Sequence, residues 1–253
     1  MVTAKLATIS QDVPEIFASI QGEGQSAGRP SVFVRFATCN LHCWWCDTPY
    51  TWNWQGSNLS HRDTDNGAQR FDPKVEICQL DTAEIADQVI ALAPERVILT
   101  GGEPLMQQPA LADLVDRVKA ALPTCLFEVE TNGTIIPDEA LQDKIDQFNV
   151  SPKLQSTRNE DDRRIVPDTL RFYAQAPRAY FKFVIADKAD LAEVEALIDT
   201  YHLPRNHLFL MPEGTSVAAL DDKSDWLLEA AVRLGVGFSD RLHIRLFGDT
   251  RGT

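Results

Sequence analysis

Three cysteines close together in the sequence constrain this chain more than any other feature. Cys39, Cys43 and Cys46 form the pattern C-x3-C-x2-C, in the loop after the apolar run 31–36. Three thiolates around one small volume suit a 4Fe–4S cluster, because thiolate is the usual protein ligand of cluster iron. A cluster held by three local ligands keeps one iron open to a small molecule. The spacing therefore predicts an iron–sulfur site in this loop.

Two other thiol sites share part of this pattern, namely a structural zinc site and a redox-active thiol pair. Structural zinc normally takes four ligands, commonly in two C-x2-C-like pairs. The remaining cysteines, Cys78 and Cys125, are isolated in the sequence and suit small buried hydrophobic positions. On spacing alone, the cluster is favoured and both alternatives stay open.

Composition narrows the class of protein. The chain has 253 residues and is 44% hydrophobic, which is ample for a buried core, and it has no apolar run long enough to span a bilayer. Its five cysteines and the absence of a signal-like N-terminus predict a reducing, cytoplasmic location. The formal net charge of −13 argues against broad binding of nucleic acid or anionic membrane. We expect an enzyme acting on a small molecule.

Strand and helix patterns alternate along the chain. Short runs rich in β-branched and aromatic residues predict strands at 31–36, 96–100, 125–130, 147–150, 180–185, 207–211 and 242–247. Apolar stripes at helical spacing predict helices over 82–93 and 109–122. This alternation predicts an α/β fold with a mainly parallel sheet, open or closed as a barrel. We expect a single domain over 1–253, with mobile polar insertions near 53–73 and 155–177.

Three short motifs follow predicted strands. Gly-Gly-Glu-Pro occupies 101–104, Thr-Asn-Gly occupies 131–133, and Ser-Pro-Lys occupies 151–153. Each one alone is ordinary turn chemistry. Because α/β proteins place their sites at the carboxyl ends of parallel strands, the three motifs and the cysteine loop together outline one mouth of a barrel.

The chain resembles the 7-carboxy-7-deazaguanine synthases, a family of radical S-adenosylmethionine (SAM) enzymes of queuosine and 7-deazapurine biosynthesis, a tRNA modification pathway. The resemblance is carried by segments spread from end to end, at 17–24, 33–35, 39–52, 100–104, 130–133, 151–153 and 247–253. Gly-Gly-Glu-Pro is typical of radical-SAM enzymes generally, whereas the Gln-Gly-Glu-Gly box, the Cys-Asp-Thr extension and the Arg-Gly terminus indicate this family. The resemblance implies a partial (incomplete) TIM-like βα barrel of the radical-SAM type.

The resemblance also implies three cofactors. A 4Fe–4S cluster would be held by Cys39, Cys43 and Cys46, and Mg2+ would be bound through Thr48, since Mg2+ prefers oxygen ligands. Glycine at 102 would let the backbone approach SAM closely, and the carboxylate at 103 would accept from the SAM ammonium group. The full set of SAM-binding residues implied is Trp45, Gly102, Glu103, Ser151, Pro152, Lys153, Met211, Pro212, Glu213 and Gly214.

The substrate implied is 6-carboxy-5,6,7,8-tetrahydropterin, and the residues that would bind it are Ile20, Gln21, Gly22, Arg35, Thr100 and Thr253. Arg35 suits a bidentate contact with a carboxylate, although a structural ion pair explains it equally well. The terminal carboxylate of Thr253 would meet the guanidine-like edge of the pterin. A radical derived from SAM would abstract hydrogen from pterin C6, and the ring would contract with loss of ammonia. No side chain is implied as a catalytic acid or base.

Partners follow from the resemblance as well. We expect a homodimer that takes electrons from a donor such as flavodoxin or ferredoxin. Two other functions compete with the synthase, namely a radical-SAM enzyme that installs a glycyl radical on a partner protein, and a non-catalytic zinc-binding module. The first would need a docking surface instead of a pterin pocket, and the second would bind zinc through the three thiolates.

Overall fold

Strands and helices alternate along the chain in a computed structural model, which describes all residues from 1 to 253. The strands are β1 (Thr3–Ser10), β2 (Val13–Pro14), β3 (Ile16–Ile20), β4 (Pro30–Phe36), β5 (Ile77–Asp81), β6 (Arg96–Gly101), β7 (Leu126–Thr131), β8 (Gln147–Val150), β9 (Ala179–Ile185), β10 (Leu208–Pro212) and β11 (Gly237–Phe238). The helices are α1 (Arg62–Asp65), α2 (Pro73–Glu76), α3 (Thr82–Ala91), α4 (Gln108–Ala121), α5 (Glu139–Gln142), α6 (Asp161–Arg164), α7 (Pro167–Gln175), α8 (Asp190–Tyr201), α9 (Val217–Leu234) and α10 (Leu242–Phe247).

All strands belong to one open sheet in the order β11-β10-β9-β8-β7-β6-β4-β1-β2, with β3 paired to β4 and β5 paired to β1. Strands β4 and β6 to β11 run parallel, whereas β1, β2, β3 and β5 add antiparallel pairs at one side. The two end strands do not pair with each other, so the sheet does not close. The predicted partial barrel is therefore confirmed.

The central parallel strands are buried on both faces. In β6, Val97, Ile98 and Leu99 are completely buried, a continuous apolar run of the kind expected where helices cover a parallel sheet. On the outer face, α3 packs beside α4, and the buried side chains of both helices recur at helical spacing. One contiguous apolar core runs from β1 to α9. No helix combines the length and hydrophobicity needed to cross a bilayer.

Six of the seven predicted strands and both predicted helices are confirmed, with boundary differences of one or two residues. The prediction of a strand at 242–247 is wrong, because this segment is α10. Apolar and polar residues alternate there, but Arg245 N–H donates to the Arg241 carbonyl at 3.2 Å, a helical bond. Only Ile244 is buried, while Leu246 and Phe247 are 56% and 43% exposed. A period read over six residues does not distinguish a strand from a short helix anchored by one side chain.

The two long polar segments contain secondary structure. Segment 53–73 carries α1 and an isolated bridge between Trp54 and Phe71, and segment 155–177 carries α6 and α7. Both lie over the edge of the sheet at which the parallel strands end, through contacts described below. Their mobility stays a prediction.

Candidate active site

A cavity of about 520 Å³ opens at the carboxyl ends of the parallel strands. It brings together most of the residues named from the sequence: Ile20, Gln21, Gly22, Arg35, Cys39, Cys43, Trp45, Cys46, Thr48, Thr100, Gly102, Ser151, Lys153, Met211, Glu213 and Thr253. Four named residues, Glu103, Pro152, Pro212 and Gly214, do not line it. The motifs that follow separate strands in the sequence thus converge on one mouth.

The glycine pair after β6 packs directly beneath the cysteine loop. A Cβ on Gly101, whose φ is +143°, would lie 2.0 Å from the Phe36 carbonyl oxygen. A Cβ on Gly102 would lie 2.1 Å from the Thr38 carbonyl oxygen and 2.9 Å from the Cβ of Cys39. No side chain fits at either position. The glycines therefore permit close approach of two backbones within the protein, a constraint that the sequence interpretation assigned to a ligand.

Glu103 lies below the floor of the cavity and is completely buried. Its carboxylate accepts hydrogen bonds from the backbone N–H groups of Leu105 at 3.0 Å and Asn132 at 2.7 Å, and from the Thr131 hydroxyl at 3.1 Å. Burial raises the pKa of Glu103 to about 7, against the effect of these hydrogen bonds. The structure thus shows Glu103 joining the ends of β6 and β7, with its oxygens engaged by the protein.

The thiols of Cys39 and Cys43 each accept a hydrogen bond from the protein. The Leu41 backbone N–H donates to Cys39 Sγ at 3.4 Å, and the Asn159 side-chain amide donates to Cys43 Sγ at 3.3 Å. Burial raises the pKa of Cys39 well above its usual value and that of Cys43 to about 12. Burial therefore favours the neutral thiol at both positions, and thiolate ligation of a metal requires loss of these protons.

Both long segments hold the cysteine loop in place. From segment 155–177, the Thr157 carbonyl accepts from the Trp44 backbone N–H at 2.9 Å. From segment 53–73, Arg62 N–H donates to the Trp44 carbonyl at 2.8 Å, and a ring nitrogen of buried His61 lies 2.9 Å from the Cys46 carbonyl oxygen. The loop is thus held by two segments that both follow it in the sequence.

The three thiols do not form a site for a single ion. No group of three His, Cys, Asp or Glu side chains in the structure is arranged to hold one metal ion. Structural zinc needs its ligands at about 2.3 Å from one centre. Three cysteines that line one cavity instead suit a cluster, in which each thiolate binds a different iron.

Arg35 lines the cavity from β4 and is held by a buried acid. Its Nε donates to Glu15 Oε1 at 2.7 Å, and the Tyr50 hydroxyl donates to Glu15 Oε2 at 3.1 Å. Glu15 is completely buried, whereas the terminal guanidinium nitrogens of Arg35 have no protein partner. The structural ion pair and the proposed anion contact are therefore compatible, because the pair uses Nε and keeps the other nitrogens free.

Sequence interpretation missed a second cluster of buried charges that lines the cavity. Lys182 Nζ donates to Glu130 Oε2 at 3.0 Å and also pairs with Glu23. Arg241 Nε donates to Glu23 Oε1 at 2.9 Å, and the guanidinium also pairs with Asp47. All five residues line the cavity. Lys182 is the one charged residue in the apolar strand β9, the same signal that drew attention to Arg35 in β4.

Opposing effects set the protonation of the acids in this cluster. For Glu23, burial favours the neutral form, but Lys182 and Arg241 outweigh it and hold the pKa well below its usual value. For Glu130, burial raises the pKa and prevails over the attraction of Lys182. Gln21 Nε2 donates to Glu130 Oε1 at 2.9 Å, so a residue named from the sequence is oriented by this acid.

The C-terminal tail is fastened over the cavity. The Arg251 guanidinium lies over the Tyr50 ring at 3.4 Å from the centroid, and it donates to Glu76 Oε2 at 2.8 Å and to the Thr8 carbonyl at 3.1 Å. Beyond it, Thr253 lines the cavity and is only partly exposed. The tail is therefore an ordered part of the cavity wall.

The residues assigned to SAM come from the cysteine loop and from the ends of β6, β8 and β10. Trp45 Nε1 is buried and has no hydrogen-bond partner within the protein. Lys153 Nζ donates to Ser151 Oγ at 2.9 Å, and Glu213 is paired with Arg62 at 2.6 Å and Lys223 at 3.1 Å. A buried N–H without a partner is costly, and the Trp45 indole N–H is free to donate to an acceptor that enters the cavity.

Comparison with known proteins agrees with this site. The family model for a 4Fe-4S single cluster domain matches residues 20–166. The 7-carboxy-7-deazaguanine synthase of Pyrobaculum aerophilum is 37% identical over 97% of this chain and 99% of its own length. That of Halobacterium salinarum is 36% identical over 95% of this chain and 92% of its own. The solved structure of QueE from Escherichia coli covers 94% of this chain and 95% of its own with a TM-score of 0.65 and 21% identity, a likeness of fold.

Fold and site together define a 4Fe–4S single-cluster protein with a partial βα barrel of the radical-SAM type. The family match covers the cysteine loop and removes the zinc-binding module from consideration. The chain belongs to the 7-carboxy-7-deazaguanine synthase family.

The ligand set can be tested by single substitutions of cysteine with alanine. We expect loss of the cluster from each variant at Cys39, Cys43 and Cys46, because each thiolate would bind a separate iron. Cys78→Ala and Cys125→Ala are the controls, and both should keep it. The measurement is iron and sulfide content with the visible spectrum after anaerobic reconstitution. Retention in Cys43→Ala with loss in Cys78→Ala would refute the assignment.

Proposed function

We propose that this chain converts 6-carboxy-5,6,7,8-tetrahydropterin to 7-carboxy-7-deazaguanine with release of ammonia, in a radical-SAM reaction. The reaction balances without another reactant, because 7-carboxy-7-deazaguanine and ammonia together contain all the atoms of the substrate. The observation that carries the proposal is the shared cavity, where the three thiols, the free guanidinium nitrogens of Arg35 and the C-terminus of the chain all meet. Family membership supplies the identity of the reaction.

The residues present fit the cluster and SAM. Cys39, Cys43 and Cys46 would bind three irons, and SAM would occupy the space between the loop, Trp45 and the turn at Gly102. When reduced and bound to SAM, the cluster supplies the electron that produces a hydrogen-abstracting radical. The protein's own part is to seat both groups and to exclude water, which the burial of Cys43 and the covering tail support.

The substrate carboxylate would bind where Arg35 and Thr48 face the cavity. Arg35 offers two unpaired N–H-bearing nitrogens, and Glu15 fixes the direction of its guanidinium. Thr48 would give its hydroxyl to Mg2+, which prefers oxygen, keeps several waters and bridges protein to a substrate anion. Thr48 Oγ1 is 3.7 Å from Cys46 Sγ, so a metal there would lie beside the cluster loop.

The guanidine-like edge of the pterin needs hydrogen-bond acceptors. The terminal carboxylate of Thr253 would accept from this edge, and Ile20, Gln21, Gly22 and Thr100 would complete the pterin site. Arg251 supports this role, because its three contacts hold the tail two residues before the carboxylate. A flat heterocycle would thereby be held at its two opposite ends.

Further properties are proposed from the family. The product would enter queuosine and 7-deazapurine biosynthesis. We propose a homodimer in the cytoplasm, with electrons delivered by a flavodoxin or ferredoxin and with no nucleic acid or membrane as partner. The formal net charge of −13 supports the last point, since nonspecific binding to anionic polymers relies on basic surfaces.

Anaerobic turnover tests the proposed function. Reconstituted protein is mixed with the carboxytetrahydropterin, SAM, Mg2+ and a reductant, and product mass and ammonia are measured. We expect one ammonia for each deazaguanine formed, and none when SAM or reductant is omitted. An intact cluster that reductively cleaves SAM while the pterin stays unchanged would disprove the proposed substrate.

Removal of the Thr48 hydroxyl should weaken dependence on Mg2+. Thr48→Val keeps the shape of the side chain and deletes the oxygen ligand, so productive substrate binding should fall by tenfold or more, on the order of 1.4 kcal/mol. Thr48→Ser is the matched control and should retain the Mg2+ response. The measurement is kcat/KM against Mg2+ concentration, with iron content as a check on the cluster. A wild-type rate and Mg2+ response in Thr48→Val would remove Thr48 from the metal site.

Displacement of the terminal carboxylate should impair substrate binding. A C-terminal extension of a few residues moves the charge of Thr253 away and crowds the cavity, whereas an equal N-terminal extension leaves the tail untouched. We expect a raised KM for the pterin in the first form only, with equal cluster content in both. Equal KM values for the two forms would show that the terminal carboxylate makes no contact with substrate.

A further inference from the structure

Asn159 makes a complete set of hydrogen bonds around the middle cysteine. Its Nδ2 donates to Cys43 Sγ at 3.3 Å and to Thr157 Oγ1 at 3.1 Å, and its Oδ1 accepts from the His42 backbone N–H at 2.8 Å. Both amide hydrogens and the carbonyl are therefore occupied, which fixes the orientation of the group. The amide is aimed at the thiol from a different part of the chain, 116 residues further along.

We propose that Asn159 is a positioning residue that donates a hydrogen bond to the Cys43 thiolate and raises the reduction potential of the cluster. The inference rests on Cys43 as a cluster ligand, as in the proposed function. It concerns the electronic state of the cluster and not the identity of the substrate.

The physical argument is electrostatic. Reduction adds one electron, and part of the added negative charge falls on the thiolate sulfurs. An N–H aimed at a sulfur stabilises the reduced state more than the oxidised one, and hydrogen bonds to sulfur are among the features that set cluster potentials. Cys43 is 7% exposed, so little water is available to replace the amide. Loss of this donor should therefore make the cluster harder to reduce.

The donors to the other two thiols are close in sequence or lie at a longer distance. Cys39 receives the Leu41 backbone N–H from within the loop, and the Asn132 amide is 4.0 Å from its sulfur, a long contact. Cys46 Sγ has the Thr48 hydroxyl at 3.7 Å, also a near neighbour in sequence. The Trp52 side chain, close in sequence, also donates to Cys46. Among donors from distant parts of the chain, Asn159 makes the shortest contact with a thiol, 3.3 Å against 4.0 Å for Asn132.

Two substitutions separate the hydrogen bond from charge and from shape. Asn159→Asp keeps the size of the side chain and the acceptor for His42, but it has no N–H. Asn159→Ala removes the donor without adding charge. Arg163→Ala is the matched control, because the Arg163 guanidinium reaches the Asn40 carbonyl at 2.7 Å from the same segment and touches no sulfur. All variants are reconstituted anaerobically and their iron content is measured.

The readout is the midpoint potential of the cluster, from a redox titration followed by electron paramagnetic resonance without substrate. We expect more negative potentials in both Asn159 variants and a wild-type potential in Arg163→Ala. A shift in Asn159→Asp alone would assign the effect to charge and overturn the proposal. Equal shifts in all three variants, or loss of the cluster from both Asn159 variants, would overturn the proposal. Either result would mean that Asn159 only holds the loop in place.

The same experiment distinguishes this inference from the proposed function. Titration of the wild-type cluster requires no pterin, so the potentials can be compared whether or not the protein turns over the substrate. Unchanged potentials in protein that forms 7-carboxy-7-deazaguanine would overturn the role of Asn159 alone.

Discussion

The rest of the site depends on one backbone contact, that between the glycine pair at 101–102 and the chain leaving β4. Gly102 N–H donates to the Phe36 carbonyl at 3.1 Å, and Glu103 N–H donates to the Thr38 carbonyl at 2.9 Å. These bonds continue the parallel pairing of β4 with β6 past the ends of both strands. Because no side chain separates the two backbones, the first cysteine is placed by the sheet itself. Glu103 then joins this turn to the end of β7, so that three strand ends form one rigid base.

Charges around the cavity are arranged in compensated groups. Arg35 is paired with Glu15, and Lys182 and Arg241 share Glu23 between them. Compensation matters because isolated buried charges are costly, whereas paired ones are tolerated when their hydrogen bonds are satisfied. Arg35 departs from this pattern by keeping nitrogens without a partner at the cavity surface. An anionic substrate group is the natural complement of such an arrangement.

Sequence reasoning succeeded where a local rule carried the information. The spacing of Cys39, Cys43 and Cys46 is a local pattern, and the buried strands carry runs of β-branched residues that need no tertiary context. It failed at α10, a six-residue alternation in which only Ile244 is buried and contacts with Gly22 hold the start of the helix. It also failed to find Lys182 and Arg241 as members of one cluster, because neighbours in space are distant in sequence. Glu103 shows a third limit, since a carboxylate in a turn does not reveal whether its oxygens face a ligand or the protein.

The attachment of the cysteine loop to the distant segment 155–177 has a consequence for how the molecule matures. During synthesis the cysteines emerge long before Thr157 and Asn159, and the contacts of these two residues close a chain segment of more than a hundred residues. These contacts form after the strands that lie between them in the sequence. The reason is that bringing distant residues together costs chain entropy, which other contacts must first offset. The nascent loop therefore passes through a period in which its thiols are accessible and unclamped. A cluster inserted in that interval would meet open thiols, before segment 155–177 and then the tail enclose the site.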